Sequence, residues 1–95
     1  MEKIYIGDIG VSIDVTLANI NYEDIDKAKL IIRKPNKKKI SYALEKDDDK
    51  KVLNFTNSDD IFDVKGEWIF QPYVELSDGF KGRGSEFSIY VDEGI

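Results

Sequence analysis

Strict period-2 alternation constrains this chain more than any other feature. From residue 11 to residue 17, Val11, Ile13, Val15 and Leu17 point one way while Ser12, Asp14 and Thr16 point the other. Successive side chains of a strand face opposite sides, so only a strand with one covered and one wet face sorts this order into two surfaces. The pattern recurs along the chain. Ile4 and Ile6 flank Tyr5. Ala28, Leu30 and Ile32 alternate, as do Ile40, Tyr42 and Leu44. Leu53 and Phe55 share a face, as do Trp68 and Phe70, and Phe87, Ile89 and Val91 close the series. No stretch of about ten residues carries the apolar stripe of an amphipathic helix.

The breaks between these runs are turn chemistry. Gly7-Asp8 and Gly10 end the first run, Pro35-Asn36 with Lys37 to Lys39 the third, and Asp47 to Lys50 the fourth. Ser77-Asp78-Gly79 is a hairpin signal. Asn21 is placed to cap a short helical turn over 21–24. Ser58 is placed to cap another, ahead of Asp59 and Asp60. Pro72 interrupts an otherwise strong strand, Glu67 to Leu76; lacking an N–H, it marks an edge, a bulge or a kink. Ile69, on the face opposite Trp68, suggests the neighbourhood of a sheet edge. The pattern predicts about seven short strands joined by polar turns, an all-β sandwich or small barrel. At 95 residues the chain is one domain, 1–95.

Composition removes whole classes of chemistry. The chain has no Cys and no His, which excludes disulfides, Cys/His zinc sites, a thiol nucleophile and the commonest general base. The net charge of -5 argues against general nucleic-acid binding and against docking on anionic membranes. The N-terminus reaches Asp8 before any long apolar run develops, so neither a signal peptide nor a membrane span is expected, and synthesis in a cytoplasm is.

Each remaining candidate has a simpler reading. The run Asp47-Asp48-Asp49 invites calcium, but consecutive side chains in a turn diverge, and the loop lacks the spacing of a calcium-binding loop. Asp59 and Asp60 are explained as the acidic start of a helical turn, with Asp63 nearby. Paired carboxylates for glycoside hydrolysis need a cleft between them, for which turn acids give little room. Lys37 to Lys39 is a solvated turn. Gly79 to Gly84 is glycine-rich but has no following helix to receive a phosphate; Phe80 within it is expected to pack on the sandwich end. Trp68 reads as core. The expectation is therefore a non-enzymatic protein without metal or cofactor that works by binding other proteins. Tyr5, Tyr73 and Tyr90 are the contact candidates, since tyrosine offers apolar area with a polar tip. Sheet edges accept strands from neighbours. The segment Ile4, Tyr5 and Ile6, set off by glycines, is therefore the candidate protein interface, with the Pro72 strand second.

Three stretches together resemble a known family. Leu30-Ile31-Ile32-Arg33-Lys34-Pro35-Asn36 is an apolar run, a basic pair, a proline and a turn. Gly66-Glu67-Trp68-Ile69-Phe70-Gln71-Pro72-Tyr73-Val74 is similar to a strand of the form G-x-W/Y-x-x-Q-x-Y-V. Glu86-Phe87-Ser88-Ile89-Tyr90-Val91 is similar to a closing F-x-V strand, and the opening Ile4-Tyr5-Ile6-Gly7-Asp8 also fits. In this order they resemble the small immunoglobulin-like domains of tail and baseplate proteins from phages of Gram-positive bacteria, including the N-terminal domain of the baseplate upper protein. The resemblance implies an immunoglobulin-like antiparallel β-sandwich with no catalytic residues. It also implies a place in the virion, or in a phage-tail-like particle, in many symmetric copies bound to tail, baseplate or capsid proteins. With little chain after the closing strand, a stand-alone accessory protein is expected. The rival reading is a carbohydrate- or host-surface-binding module, which would expose an aromatic platform; here most aromatics fall on inward positions.

Overall fold

The alternating runs become strands in the computed structural model, which describes residues 3–94. Met1 and Glu2, which open the N-terminal segment read above, and Ile95 lie outside the described residues. Among the described residues nine strands form in order: β1 (Ile4–Tyr5), β2 (Ser12–Val15), β3 (Ile25–Arg33), β4 (Lys39–Ala43), β5 (Glu45–Asp47), β6 (Val52–Thr56), β7 (Gly66–Leu76), β8 (Lys81–Arg83) and β9 (Phe87–Asp92). Two more appear than the alternation predicts. Both β5 and β8 are three-residue strands whose polar or glycine-rich sequences carry no alternation to read.

The strands assemble into a two-sheet, all-β sandwich. The large sheet runs β1-β9-β7-β3-β4, with β8 also on β7; the small sheet runs β2-β6-β5. With β2, β6 and β5 in one sheet and β4, β3, β7 and β9 in the other, the strand distribution is immunoglobulin-like. All pairs are antiparallel except β1 with β9, where Ile4 lies beside Val91 and Tyr5 beside Asp92 in parallel. Between the sheets the inward residues meet: Leu30, Ile32, Phe62, Trp68, Phe70 and Val91 are all 0% exposed. Trp68 is one of the largest side chains of this core. Its ring lies 5.1 Å from that of Phe62, and its Nε1–H donates to the Val64 carbonyl at 2.9 Å.

Pro72 resolves as a bulge marker inside the sheet, not as an edge. β7 is central, with β3 on one side and β8 and β9 in tandem on the other. Register gives the reason. Phe70 pairs with Phe87, and Tyr73 with Arg83: three steps along β7 oppose four along the partner, so the β8–β9 junction carries an extra residue. Pro72 faces that junction, where its carbonyl accepts the Gly84 N–H at 2.9 Å and a proline nitrogen leaves no donor unpaired. The junction needs a glycine as well, because a Cβ on Gly84 would meet Pro72 Cγ at 2.9 Å and Leu17 Cδ2 at 2.6 Å. Ile69 likewise lies on this central strand, half-covered on its outer face.

The two expected helical turns part ways. Tyr22–Asp24 forms a single 3-10 turn, although Asn21 makes no side-chain cap bond. Residues 58–62 form no helix, and Ser58 caps nothing; the organising residue is its neighbour Asn57. Buried to 3% exposure, the Asn57 side chain accepts from the Val11 N–H at 2.7 Å and donates to the carbonyls of Asp8 and Asp59, each at 2.9 Å. One amide thus ties the β1–β2 connection to the segment after β6, satisfying backbone groups that no ladder reaches.

Candidate functional site

The N-terminal segment divides into core and surface. Ile4 is 2% exposed and belongs to the core, whereas Tyr5 is 43% and Ile6 38% exposed. The segment completes its own sheet: the Ile6 N–H donates to the Asp92 carbonyl, and the Gly7 N–H to that of Phe62. Asp8 turns the chain immediately afterwards by accepting the Tyr5 N–H on Oδ2 at 2.9 Å. Of the expected interface residues, Tyr5 and Ile6 are available to a partner and Ile4 is not.

Two further side chains extend this margin. Tyr90, on the outer face of β9, is 47% exposed, and Ile9, in the β1–β2 connection, is 62% exposed. Ile9 has a readable signal in hindsight: a large aliphatic residue held between Gly7-Asp8 and Gly10 in a connection too tight to fold it inward. Tyr5, Ile6, Ile9 and Tyr90 thus place apolar area on β1, the loop after it and β9. Charge flanks the patch. Lys3 pairs with Asp92 at 3.4 Å, and the Glu93 backbone N–H, followed by Lys3, holds the Asp92 carboxyl below its usual range.

Tyr73, the third expected contact, is half-covered. Its ring lies 5.0 Å from Lys29 Nζ and its hydroxyl donates to Glu75 Oε2 at 3.3 Å. Desolvation, reinforced by Glu75, raises its pKa. Phe80 folds back over Gly82, where a Cβ would meet the ring at 2.6 Å, and stays 52% exposed; it packs on its own hairpin, not on the sandwich end.

The acidic turns are occupied with their own backbone. Asp47 Oδ1 accepts the N–H groups of Asp49 and Lys50 at 3.1 and 3.3 Å. Asp48 Oδ1 accepts the Tyr22 hydroxyl at 2.6 Å. Desolvation first, and Asp48 next, push the Tyr22 phenol up to about 12. Asp63 pairs with Lys34 at 2.6 Å, and the same ammonium lies 5.3 Å from the Trp68 ring. Among the described residues, no group of three or more Asp and Glu converges as a metal site would. No helix among them is long and apolar enough to cross a membrane.

A second surface exists only because of strand order. Ile31, Arg33, Lys39, Ile69, Gln71, Arg83 and Glu86 line a shallow trough of about 180 Å³ on the outer face of the large sheet. Four strands contribute to it, so no local sequence signal could have found it. The chain matches no known protein family, no curated protein and no solved structure.

Proposed function

We propose that this chain is a non-enzymatic structural or accessory protein of a phage virion or phage-tail-like particle, whose copies bind tail, baseplate or capsid proteins through the β1–β9 margin. The observation that carries the binding role is the exposure of Tyr5, Ile6, Ile9 and Tyr90 along one margin. Aromatic and aliphatic side chains left in water gain most when a partner covers them. The virion setting is supported by the family resemblance of the strands at residues 30–36, 66–74 and 86–91.

The test follows from the division between Ile4 and its neighbours. Deleting residues 1–6 would remove a core side chain and the sheet's β1 strand, so it would report folding. Tyr5→Ser with Ile9→Ser removes two surface side chains and leaves the core residue Ile4 and the β1–β9 pairing in place. The double variant is expected to keep its circular dichroism and melting temperature and to fail to incorporate into particles or co-purify with their proteins. Incorporation at full occupancy would refute the reading.

A further inference from the structure

Among the described residues, five strands have an unpaired side: β1, β4 and β8 in the large sheet, β2 and β5 in the small one. An unpaired edge recruits other strands unless something prevents it. Four of the five are guarded. β8 is three residues long and carries Lys81 and Arg83. β1 is two residues long and runs into the Gly7 turn. β5 is three residues long and carries Glu45 and Asp47. β2 has Asp14 within it, on the outer face. The fifth, β4, has five residues, Lys-Ile-Ser-Tyr-Ala, with its one charge at the end, no proline and no register shift against β3.

The backbone of β4 is set for a partner. The bonds that bracket its pairing with β3 run from the Lys34 N–H to the Lys38 carbonyl and from the Leu44 N–H to the Ala28 carbonyl. Hydrogen-bonded pairs alternate in an antiparallel ladder, so Ile40 and Tyr42 bond toward β3. Lys39, Ser41 and Ala43 turn their N–H and C=O groups to the open side.

We infer that β4 is a dimerisation edge, pairing antiparallel with β4 of a second copy about a two-fold axis at Ser41. This register is self-complementary. It sets Lys39 opposite Ala43 of the second copy and Ser41 opposite Ser41, so no like charges face each other. On the core side it sets Ile40 beside Tyr42, an apolar cross-strand pair made twice by symmetry. Both are half-buried in the single chain, and the Tyr42 ring already lies 5.3 Å from that of Phe55. A hollow of about 230 Å³, lined by Tyr42, Ala43, Glu45, Asn54, Phe55 and Thr56, opens at this edge and receives the incoming Ile40. The two large sheets then become one continuous sheet. A register shifted by two residues would leave one end of each strand unpaired.

Ser41 and Ala43 are exposed and their backbone groups are not used by β3, so substitutions there spare the fold. The chain has no cysteine, so a single introduced thiol reports one contact. Ser41→Cys is expected to form a disulfide-linked dimer on mild oxidation far faster than the control Ser77→Cys in the β7–β8 turn, because facing Cα atoms across such a pair fall within disulfide range. Light scattering over a concentration series is expected to show the wild type reaching twice its monomer mass. Ala43→Glu, placing an acid opposite Lys39 of the second copy at two symmetric positions, is expected to tighten the dimer roughly tenfold, and Ala43→Lys to loosen it by a similar factor. Melting temperatures check that neither change acts through the neighbouring Lys29. A wild type that stays monomeric at millimolar concentration overturns the inference. So does a dimer indifferent to both Ala43 substitutions, or a Ser41→Cys protein that cross-links no faster than the control. The Tyr5→Ser, Ile9→Ser protein is expected to dimerise like the wild type, so the margin and the edge fail separately.

Discussion

Removing the Trp68 side chain tests the core most directly. The indole is 0% exposed, packed on Phe62 at 5.1 Å and covered on one face by the Lys34 ammonium. A buried Trp hides roughly 200 Å², which at about 25 cal/mol per Å² is about 5 kcal/mol. Alanine retains a small part of that, and the neighbouring side chains can partly collapse into the space, so Trp68→Ala should cost about 3–5 kcal/mol. A domain of this size is stable by roughly 5–14 kcal/mol, so the variant loses about a fifth of its stability at least and is close to unfolded if the starting value is low. Trp68→Phe keeps most of the apolar area and loses the 2.9 Å bond to the Val64 carbonyl; it should cost less, about 1–2 kcal/mol. Urea denaturation followed by circular dichroism measures both. The wild-type tryptophan fluorescence should be blue-shifted when folded and move to the solvent value across the same transition. A solvent-like maximum in the folded protein, or a Trp68→Ala cost below about 1 kcal/mol, would refute the placement.

Two further outcomes follow from polar contacts. Asn57→Ala strands the Val11 N–H and the Asp8 and Asp59 carbonyls at a site 3% exposed; it should destabilise by about 2–3 kcal/mol, with faster hydrogen exchange at Val11 as the local signature. Tyr22, whose phenol is pushed up to about 12 from 10.0, binds its proton more tightly folded than unfolded. The stability it contributes is complete below pH 10.0 and is lost as pH rises toward about 12. An ultraviolet titration should show the last phenolate appearing in that window, and Tyr22→Phe should abolish that final step.

Alternation by itself determined the strands and their faces. Val11 to Leu17 needed no long-range information to be sorted, because a period of two separates the faces whatever sheet the strand joins. The same holds for Trp68 and Phe70, for the Ser77-Asp78-Gly79 hairpin and for the turn at Pro35-Asn36. The two shortest strands escaped this logic: in β5 and β8 only a neighbouring ladder makes Glu45–Asp47 and Lys81–Arg83 extended. Which strands are edges was not legible either, since a strand's neighbours are chosen by residues far away in the chain. Pro72 shows the consequence. Alone it is compatible with an edge or a bulge; the four-residue step from Arg83 to Phe87 opposite three residues of β7 decides for the bulge. Asn57 was invisible for a related reason: its three partners lie in separate segments, and a buried amide looks like any loop asparagine until they converge. The division of Ile4 from Tyr5, and the open side of β4, belong to the same class. Faces follow from local stereochemistry, while edges, bulges and buried polar hubs are fixed only when distant strands settle on a register.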